Sequence, residues 1–287
     1  MTLADTLIDC ISKLCYSLHM IMDKKYFEMK RHAASMGARR RYELYGNPGT
    51  VEGRKLGGEH SLETHRKLDQ GRFKVLKLIR KPRRSRYLAE LLGIFIGDGH
   101  LSEYQASVVT GLKTDRNHAL HIADMISKIF KIKVSIKERP AFGAIIIVAS
   151  SKSIVRILTS YGMPIGNKLG GDLRIPKWIT DSTLYMKMFI RGLFDTDGCV
   201  FMDRHIINGK LYQHLGWTIT SAADTLLSDI TDVLVRLGYR PTCSDKQNSV
   251  YLRRQSDVRR YFTEIGSSNS KHLGRFKKFC GRVPKRS

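Results

Sequence analysis

Two aspartates, Asp98 and Asp197, each close an apolar stretch and are each followed by glycine. The stretches read Leu92-Gly93-Ile94-Phe95-Ile96-Gly97-Asp98-Gly99 and Arg191-Gly192-Leu193-Phe194-Asp195-Thr196-Asp197-Gly198. A repeated apolar helix ending in a carboxylate implies two copies of one unit meeting across an axis. Two carboxylates brought together repel unless they are protonated or bridged by a cation. A hard divalent ion with oxygen ligands, Mg²⁺ or Mn²⁺, suits such a bridge. Asp98 and Asp197, with Gly97 and Thr196 beside them, are therefore the candidate metal set.

The elements that must position these residues form one pattern run twice. A helix over 86–97 lines up Leu88, Leu91, Leu92, Phe95 and Ile96 on one stripe, with Ser85 placed to cap it. Strand-like alternation follows through Gln105–Thr110, then a helix over 117–130, strands near 133–137 and 144–149, and a helix over 151–161. The second copy predicts a helix over 183–196 capped by Asp181 or Ser182, strands over 199–207 and 210–221, a helix over 224–237, strands near 240–244 and 249–253, and a helix over 256–265. Ile157-Leu158-Thr159-Ser160-Tyr161-Gly162 leads to Lys168 in the first copy as Tyr261-Phe262-Thr263-Glu264-Ile265-Gly266 leads to Lys271 in the second. A repeat of this length is a duplicated domain, not a solenoid unit. The expected organisation is a basic helical extension over 1–85, a first half over 86–178 and a second over 179–287.

Composition narrows the partner. The chain of 287 residues has 50 Lys+Arg against 26 Asp+Glu, a net charge of +24. No apolar run is long enough to span a bilayer, and the basic residues are spread along the chain. A polyphosphate partner therefore fits best, with counterion release supplying much of the affinity. The five cysteines are odd in number and form no Cys-x-x-Cys pair, which reads as reduced thiols in an intracellular protein, cytoplasmic or organellar. Cys10, Cys15 and His19 lack finger spacing and read as one face of an amphipathic helix.

The two motifs, Leu91–Gly99 and Ile190–Gly198, together with the matching elements downstream of each, resemble the LAGLIDADG homing endonucleases of the single-chain, two-motif kind. The resemblance runs from Ser85 to the carboxyl end. It implies an α+β fold of two pseudo-symmetric αββαββα half-domains with saddle-shaped antiparallel sheets, acting as a monomer on double-stranded DNA with a long asymmetric site. It implies that Asp98 and Asp197 hold the metal and that Lys168 and Lys271 stand near the scissile phosphates, as catalytic residues. Lys113 and Arg116 match basic-pocket positions, with Ser221 and Thr225 in the corresponding part of the second copy. The small residues Gly93, Gly97, Gly192 and Thr196 would let the two motif helices approach closely, as small-xxx-small pairs do in membranes. Asp195, whose counterpart is Ile96, reads as a supporting acid that makes the metal site unequal.

DNA recognition would fall to strand residues: Gln105, Lys133, Lys137, Arg139, Arg204, His205, Lys210, Gln213, Arg240, Lys246, Arg253 and Arg254. In the extension, the Gly46-Asn47-Pro48-Gly49 turn and the Gly57-Gly58 pair are expected to break short helices. Arg39-Arg40-Arg41 and Arg54-Lys55 there suit either an accessory DNA reader or a basic packing extension. No Cys or Ser opens the chain and no His-Asn ends it, so an intron-borne or free-standing gene is expected, not an intein. Alternatives on the same fold are an intron RNA maturase and a non-cleaving DNA-binding regulator. A ribosomal or other structural nucleic-acid binder would explain the charge but not the paired carboxylates.

Overall fold

The computed structural model describes residues 25–47, 49–68, 79–168 and 172–281. The Cys10, Cys15 and His19 reading lies outside them. The chain divides into two compact units, Met1–Val75 and Leu76–Ser287.

The first unit contains helix α1 over 25–45 and helix α2 over Val51–Leu68. Gly46 ends α1 in the left-handed region (φ 68°), and its N–H donates to Tyr42 O at 2.8 Å. Thr50 then starts α2, its Oγ1 accepting from Gly53 N at 3.1 Å. The expected break at Gly57-Gly58 does not occur, because both glycines lie inside α2 with open space where a Cβ would sit. Glycine costs a helix about 1 kcal/mol relative to alanine, which weakens the helix without forbidding it.

The second unit is α+β with two four-stranded antiparallel sheets. The first half runs α3 (Arg86–Gly97), β1 (Gly99–Leu101), β2 (Gln105–Gly111), α4 (Arg116–Phe130), β3 (Ser135–Arg139), β4 (Ala144–Ser150) and α5 (Lys152–Thr159). After the short α6 (Lys177–Thr180), the second half runs α7 (Thr183–Asp197), β5 (Gly198–Ile207), β6 (Lys210–Thr220), α8 (Asp224–Arg236), β7 (Thr242–Ser244), β8 (Ser249–Leu252), α9 (Gln255–Glu264) and α10 (Ser270–Cys280). The strand orders are β1-β2-β4-β3 and β5-β6-β8-β7, so the halves share one topology. Among the described residues, helix α10 has no counterpart in the first half.

Ser85 caps α3, accepting from Leu88 N at 3.2 Å. Ser182 occupies the same place before α7 but makes no side-chain cap bond. The strand expected near 133–137 begins only at Ser135, because Lys131 turns into the left-handed region (φ 53°) and delays the extended run.

Packing differs between halves. The first core is aliphatic, built on Leu91, Leu92, Ile122, Ile126, Ile147 and Leu158. The second is aromatic: Phe194 stacks on Trp217 with centroids 5.2 Å apart, and Tyr261 meets both rings edge-on or tilted. Where α3 meets α7, glycine is required on both sides. A Cβ on Gly93 would overlap Phe189 O and lie 2.8 Å from Leu193 N, while one on Gly192 would overlap Glu90 O and lie 3.1 Å from Ile94 N. The helices therefore touch backbone to backbone, and their carboxyl ends must arrive together.

Candidate functional site

Asp98 is the residue that caps the carboxyl end of α3, its N–H donating to Phe95 O, and Asp197 is the last residue of α7. A Cβ on Gly97 would overlap the Thr196 hydroxyl and lie 3.2 Å from Asp197 Oδ2, so the helices remain in contact to their last turns. Each helix end carries about half a negative charge from its unpaired carbonyls. Two such ends and two carboxylates make a strongly negative spot in a chain of net charge +24.

The acids register this crowding. Burial pushes Asp197 up to about 7, and the neighbouring Asp98 adds to the rise against the pull of Lys168. Burial also raises Asp98, opposed by Lys168 and Lys271. Lys168 answers the negative spot directly: its Nζ donates to Ile96 O at 3.0 Å and to Gly97 O. Burial lowers its own pKa, while both aspartates hold it up. The Gly97 carbonyl, expected in the metal set, thus already accepts the Lys168 ammonium. The Thr196 hydroxyl turns back along α7 to Leu193 O at 2.9 Å.

Two crowded carboxylates with raised pKa values fit a hard divalent cation, because it favours oxygen ligands and stabilises the charged forms. Among the described residues no group of three or more His, Cys, Asp or Glu converges on a metal-sized site, so protein carboxylates here number two. Two carboxylates leave coordination positions for water or a phosphate oxygen, as Mg²⁺ prefers.

Lys271 is held by a different device. Its Nζ meets Asp115 Oδ1 at 3.0 Å, and Asp115 also accepts from Asn269 Nδ2 at 2.9 Å and from Thr114 Oγ1 at 3.1 Å. Burial raises Asp115, but the bonds from Asn269 and Lys271 outweigh it and hold the carboxyl below its ordinary range. Asp195 anchors the same loop from below. It is 2% exposed, accepts from Ser268 N at 2.8 Å and from the hydroxyls of Ser267 and Ser268, and its carbonyl accepts from Asn269 Nδ2 at 3.3 Å. Asp195 therefore points into the second half and away from the carboxylate pair. The acidic asymmetry expected of the metal site belongs instead to loop anchoring.

The basic pocket is not assembled as expected. Lys113 is exposed in the turn before α4, and Arg116 pairs with Glu138 at the first sheet's edge. It is Asp115, between them, that reaches the centre. In the second half, Ser221 Oγ accepts from Ala223 N at 3.2 Å, holding the local turn, and Thr225 Oγ1 donates to Leu173 O at 3.0 Å, tying α8 to the segment before α6.

Strand alternation decides which candidates share the open face. In the first sheet, Gln105, Lys137 and Arg139 lie on the face opposite buried Ala106, Val108, Ile145 and Ile147. Lys133 lies outside the strands. In the second sheet, Arg204 and Gln213 pair on the face of Val200, Leu215 and Trp217, the core side. The opposite face carries His205, Lys210, Tyr212 and His214, with the His205 and His214 rings stacked at 5.3 Å. Register against Val200 was the signal that separates the two sets. Arg240, Lys246, Arg253 and Arg254 all lie just outside β7 and β8; Arg253 packs over the Tyr251 ring and pairs with Asp203 at 3.5 Å.

One buried feature escaped the sequence reading. Glu90 in α3 is fully buried and pairs across the helix interface with Arg191 of α7, Nε to Oε1 at 3.1 Å, and with His121 at 3.4 Å. A lone acid inside the apolar stripe Leu88–Ile96 was its visible sign.

Comparison with known proteins bears on this arrangement. Residues 185–266 match the family model described as a LAGLIDADG-like domain. Among curated proteins, the chain is 29% identical over 200 residues to the replication factor C small subunit of Methanocaldococcus jannaschii, covering 65% of this chain and 10% of that protein. It is 25% identical over 207 residues to the tRNA-splicing ligase RtcB of Methanopyrus kandleri, covering 62% of this chain and 20% of that one. The match thus spans a tenth to a fifth of these relatives. Among solved structures, the I-LtrWI LAGLIDADG homing endonuclease bound to target DNA aligns with a TM-score of 0.47 at 11% identity, over 68% of this chain and 89% of that one. I-DmoI in complex with DNA and Mn aligns with a TM-score of 0.44 at 19% identity, over 63% and 97%. The residues that match the LAGLIDADG-like domain model lie in the second half, and the first half repeats that half's strand order and its motif.

Proposed function

We propose that this chain is a site-specific endonuclease that hydrolyses phosphodiester bonds in double-stranded DNA with a divalent metal, as a monomer spanning a long asymmetric site. The observation that carries this reading is the meeting of Asp98 and Asp197 at the ends of a glycine-packed helix pair, in a strongly basic LAGLIDADG-like chain. Mg²⁺ or Mn²⁺ held by Asp98 and Asp197 would polarise a phosphate and acidify a bound water.

The chain's own residues do the rest. The α3–α7 contact keeps the two carboxylates at one point, so each half addresses one strand. Lys168, fixed on the carbonyls of Ile96 and Gly97, holds a positive charge beside both acids, where it can stabilise charge growing on the phosphoryl oxygens. Gln105, Lys137 and Arg139 on one sheet, and His205, Lys210 and His214 on the other, present donors to base edges and phosphates. In the extension, the exposed Arg39, Arg40, Arg41, Arg54 and Lys55 add further phosphate contacts.

The test is cleavage of a supercoiled plasmid carrying a duplex selected from a randomised library, with Mg²⁺ and with EDTA. Asp98→Asn and Asp197→Asn are each expected to abolish double-strand cutting while DNA binding survives. Full cutting by either variant refutes the mechanism. Binding without cutting by the natural chain points instead to an RNA maturase or a DNA-binding regulator.

A further inference from the structure

Asp115 breaks the symmetry between the halves. It stands at the residue before α4, where the second half has Ala223 before α8. An aspartate there normally accepts a backbone N–H of its own helix. Asp115 makes no such bond. It is 5% exposed, and its oxygens are taken up by Thr114 beside it and by Asn269 and Lys271 of the other half. Asn269, 1% exposed, closes the arrangement from its side: its Oδ1 accepts from Lys271 N at 3.0 Å while its Nδ2 reaches Asp115 and the Asp195 carbonyl. A connected network thus runs from α7 through the Ser267–Asn269 loop to Asp115 and ends on the Lys271 ammonium.

The two lysines are therefore fixed by unlike means. Lys168 belongs to the first half and is held by carbonyls of that half's own motif helix. Lys271 belongs to the second half and is held by a carboxylate of the first. We propose that Asp115 is a positioning residue that carries Lys271 across the interface to the Asp98 side of the carboxylate pair, making the two strand cleavages unequal in their dependence on it. This rests on the endonuclease reading above. Lys168 lies within electrostatic reach of both acids, whereas Lys271 lies within reach of Asp98 and is held there by its contact with Asp115.

Asp115→Asn tests this, since it preserves shape and the acceptor for Asn269 while removing the charge that holds the ammonium. On an end-labelled duplex selected as above, one strand's single-turnover rate is expected to fall about tenfold relative to the other, the scale of one lost charge-assisted hydrogen bond. Nicked circles accumulate from supercoiled plasmid, and the Kd for the duplex stays within about twofold, the mark of an interaction used after binding. Lys168→Met slows both strands together. In DNA-free protein, Lys271 reacts severalfold faster with an amine-modifying reagent in Asp115→Asn, read by mass spectrometry, while Lys168 does not change.

Equal slowing of both strands, or Lys271 labelling identical to that of the natural chain, overturns the assignment. Absence of cutting by the natural chain on every selected duplex overturns the endonuclease reading instead, and the labelling arm still judges the Asp115–Lys271 contact.

Discussion

Gly93→Ala is the sharpest single perturbation of the helix pair. The added methyl would overlap Phe189 O and stand 2.8 Å from Leu193 N, both backbone atoms that cannot rotate away. Contacts to carbon relax near ~3.5 Å, so α3 and α7 must part by roughly 1 Å. Overpacking of this kind costs about 1–3 kcal/mol, with backbone clashes at the upper end. Alanine's better helix propensity returns about 1 kcal/mol. The net loss is about 2 kcal/mol, or a fall in Tm of about 4–8 °C for a unit of this size. Gly274→Ala in α10 is the control. Nothing lies within 4 Å of its Cβ position, so only the propensity gain applies and stability should rise by about 0.5–1 kcal/mol. Thermal and urea unfolding followed by circular dichroism give both numbers. Because the same contact brings Asp98 to Asp197, a 1 Å displacement should also slow cutting about 100-fold. A Gly93→Ala protein as stable and as active as the natural chain would refute the claim that this contact sets the site.

Two further outcomes follow from the buried acids. Glu90→Gln leaves Arg191 without its partner across the interface and should cost about 3 kcal/mol, the low end for a broken buried pair, since the Arg191 side chain keeps 25% exposure; the urea midpoint reads it. Burial raises Glu90, yet the bonds from His121 and Arg191 outweigh it, and the folded pKa lies below the ordinary 4.5. Its contribution to stability is thus present above pH 4.5 and lost as pH falls through the lowered value, a slope that Glu90→Gln should erase. Asp197 has the opposite sign. Its folded pKa is raised from 3.8 to about 7, so its contribution is present below pH 3.8 and lost as pH rises through 7. A cation needs the deprotonated form, so Mg²⁺ should raise Tm more at pH 8 than at pH 5.5; an equal rise at both would count against metal at Asp197.

Most of the second unit was legible because its signals are periodic. The stripes on α3 and α7 gave helix bounds within a residue or two, and the small residues at Gly93 and Gly192 marked the faces that touch. What escaped was set by contacts between distant residues. Asp115 and Asn269 are 154 positions apart, and no local pattern announces their bond. Asp195 reads as a supporting acid at the metal site until its side chain is seen turned toward Ser267 and Ser268. Arg204 and Gln213 were assigned to the nucleic-acid face by residue type, whereas their parity with Val200 and Leu215 puts them on the other. Gly57-Gly58 read as a break because glycine punctuates sequence, but in an exposed helix its cost is small enough to be absorbed.

Net charge and site charge point in opposite directions here, and the fold reconciles them. A chain at +24 attracts a polyanion along its length. Its proposed catalytic point nevertheless gathers negative charge, because two helix carboxyl ends and two aspartates converge there. A phosphate drawn in by the surrounding lysines and arginines would meet repulsion at the centre unless a cation intervened. Lys168 and Lys271 supply part of that compensation from fixed anchors, while burial, with Asp98 beside it, still lifts Asp197 to about 7. The residual negative charge is what a divalent ion would neutralise. On the proposed reading, attraction of DNA and its hydrolysis are therefore separable: the dispersed basic surface governs the first, and the glycine-packed meeting of Asp98 and Asp197 governs the second.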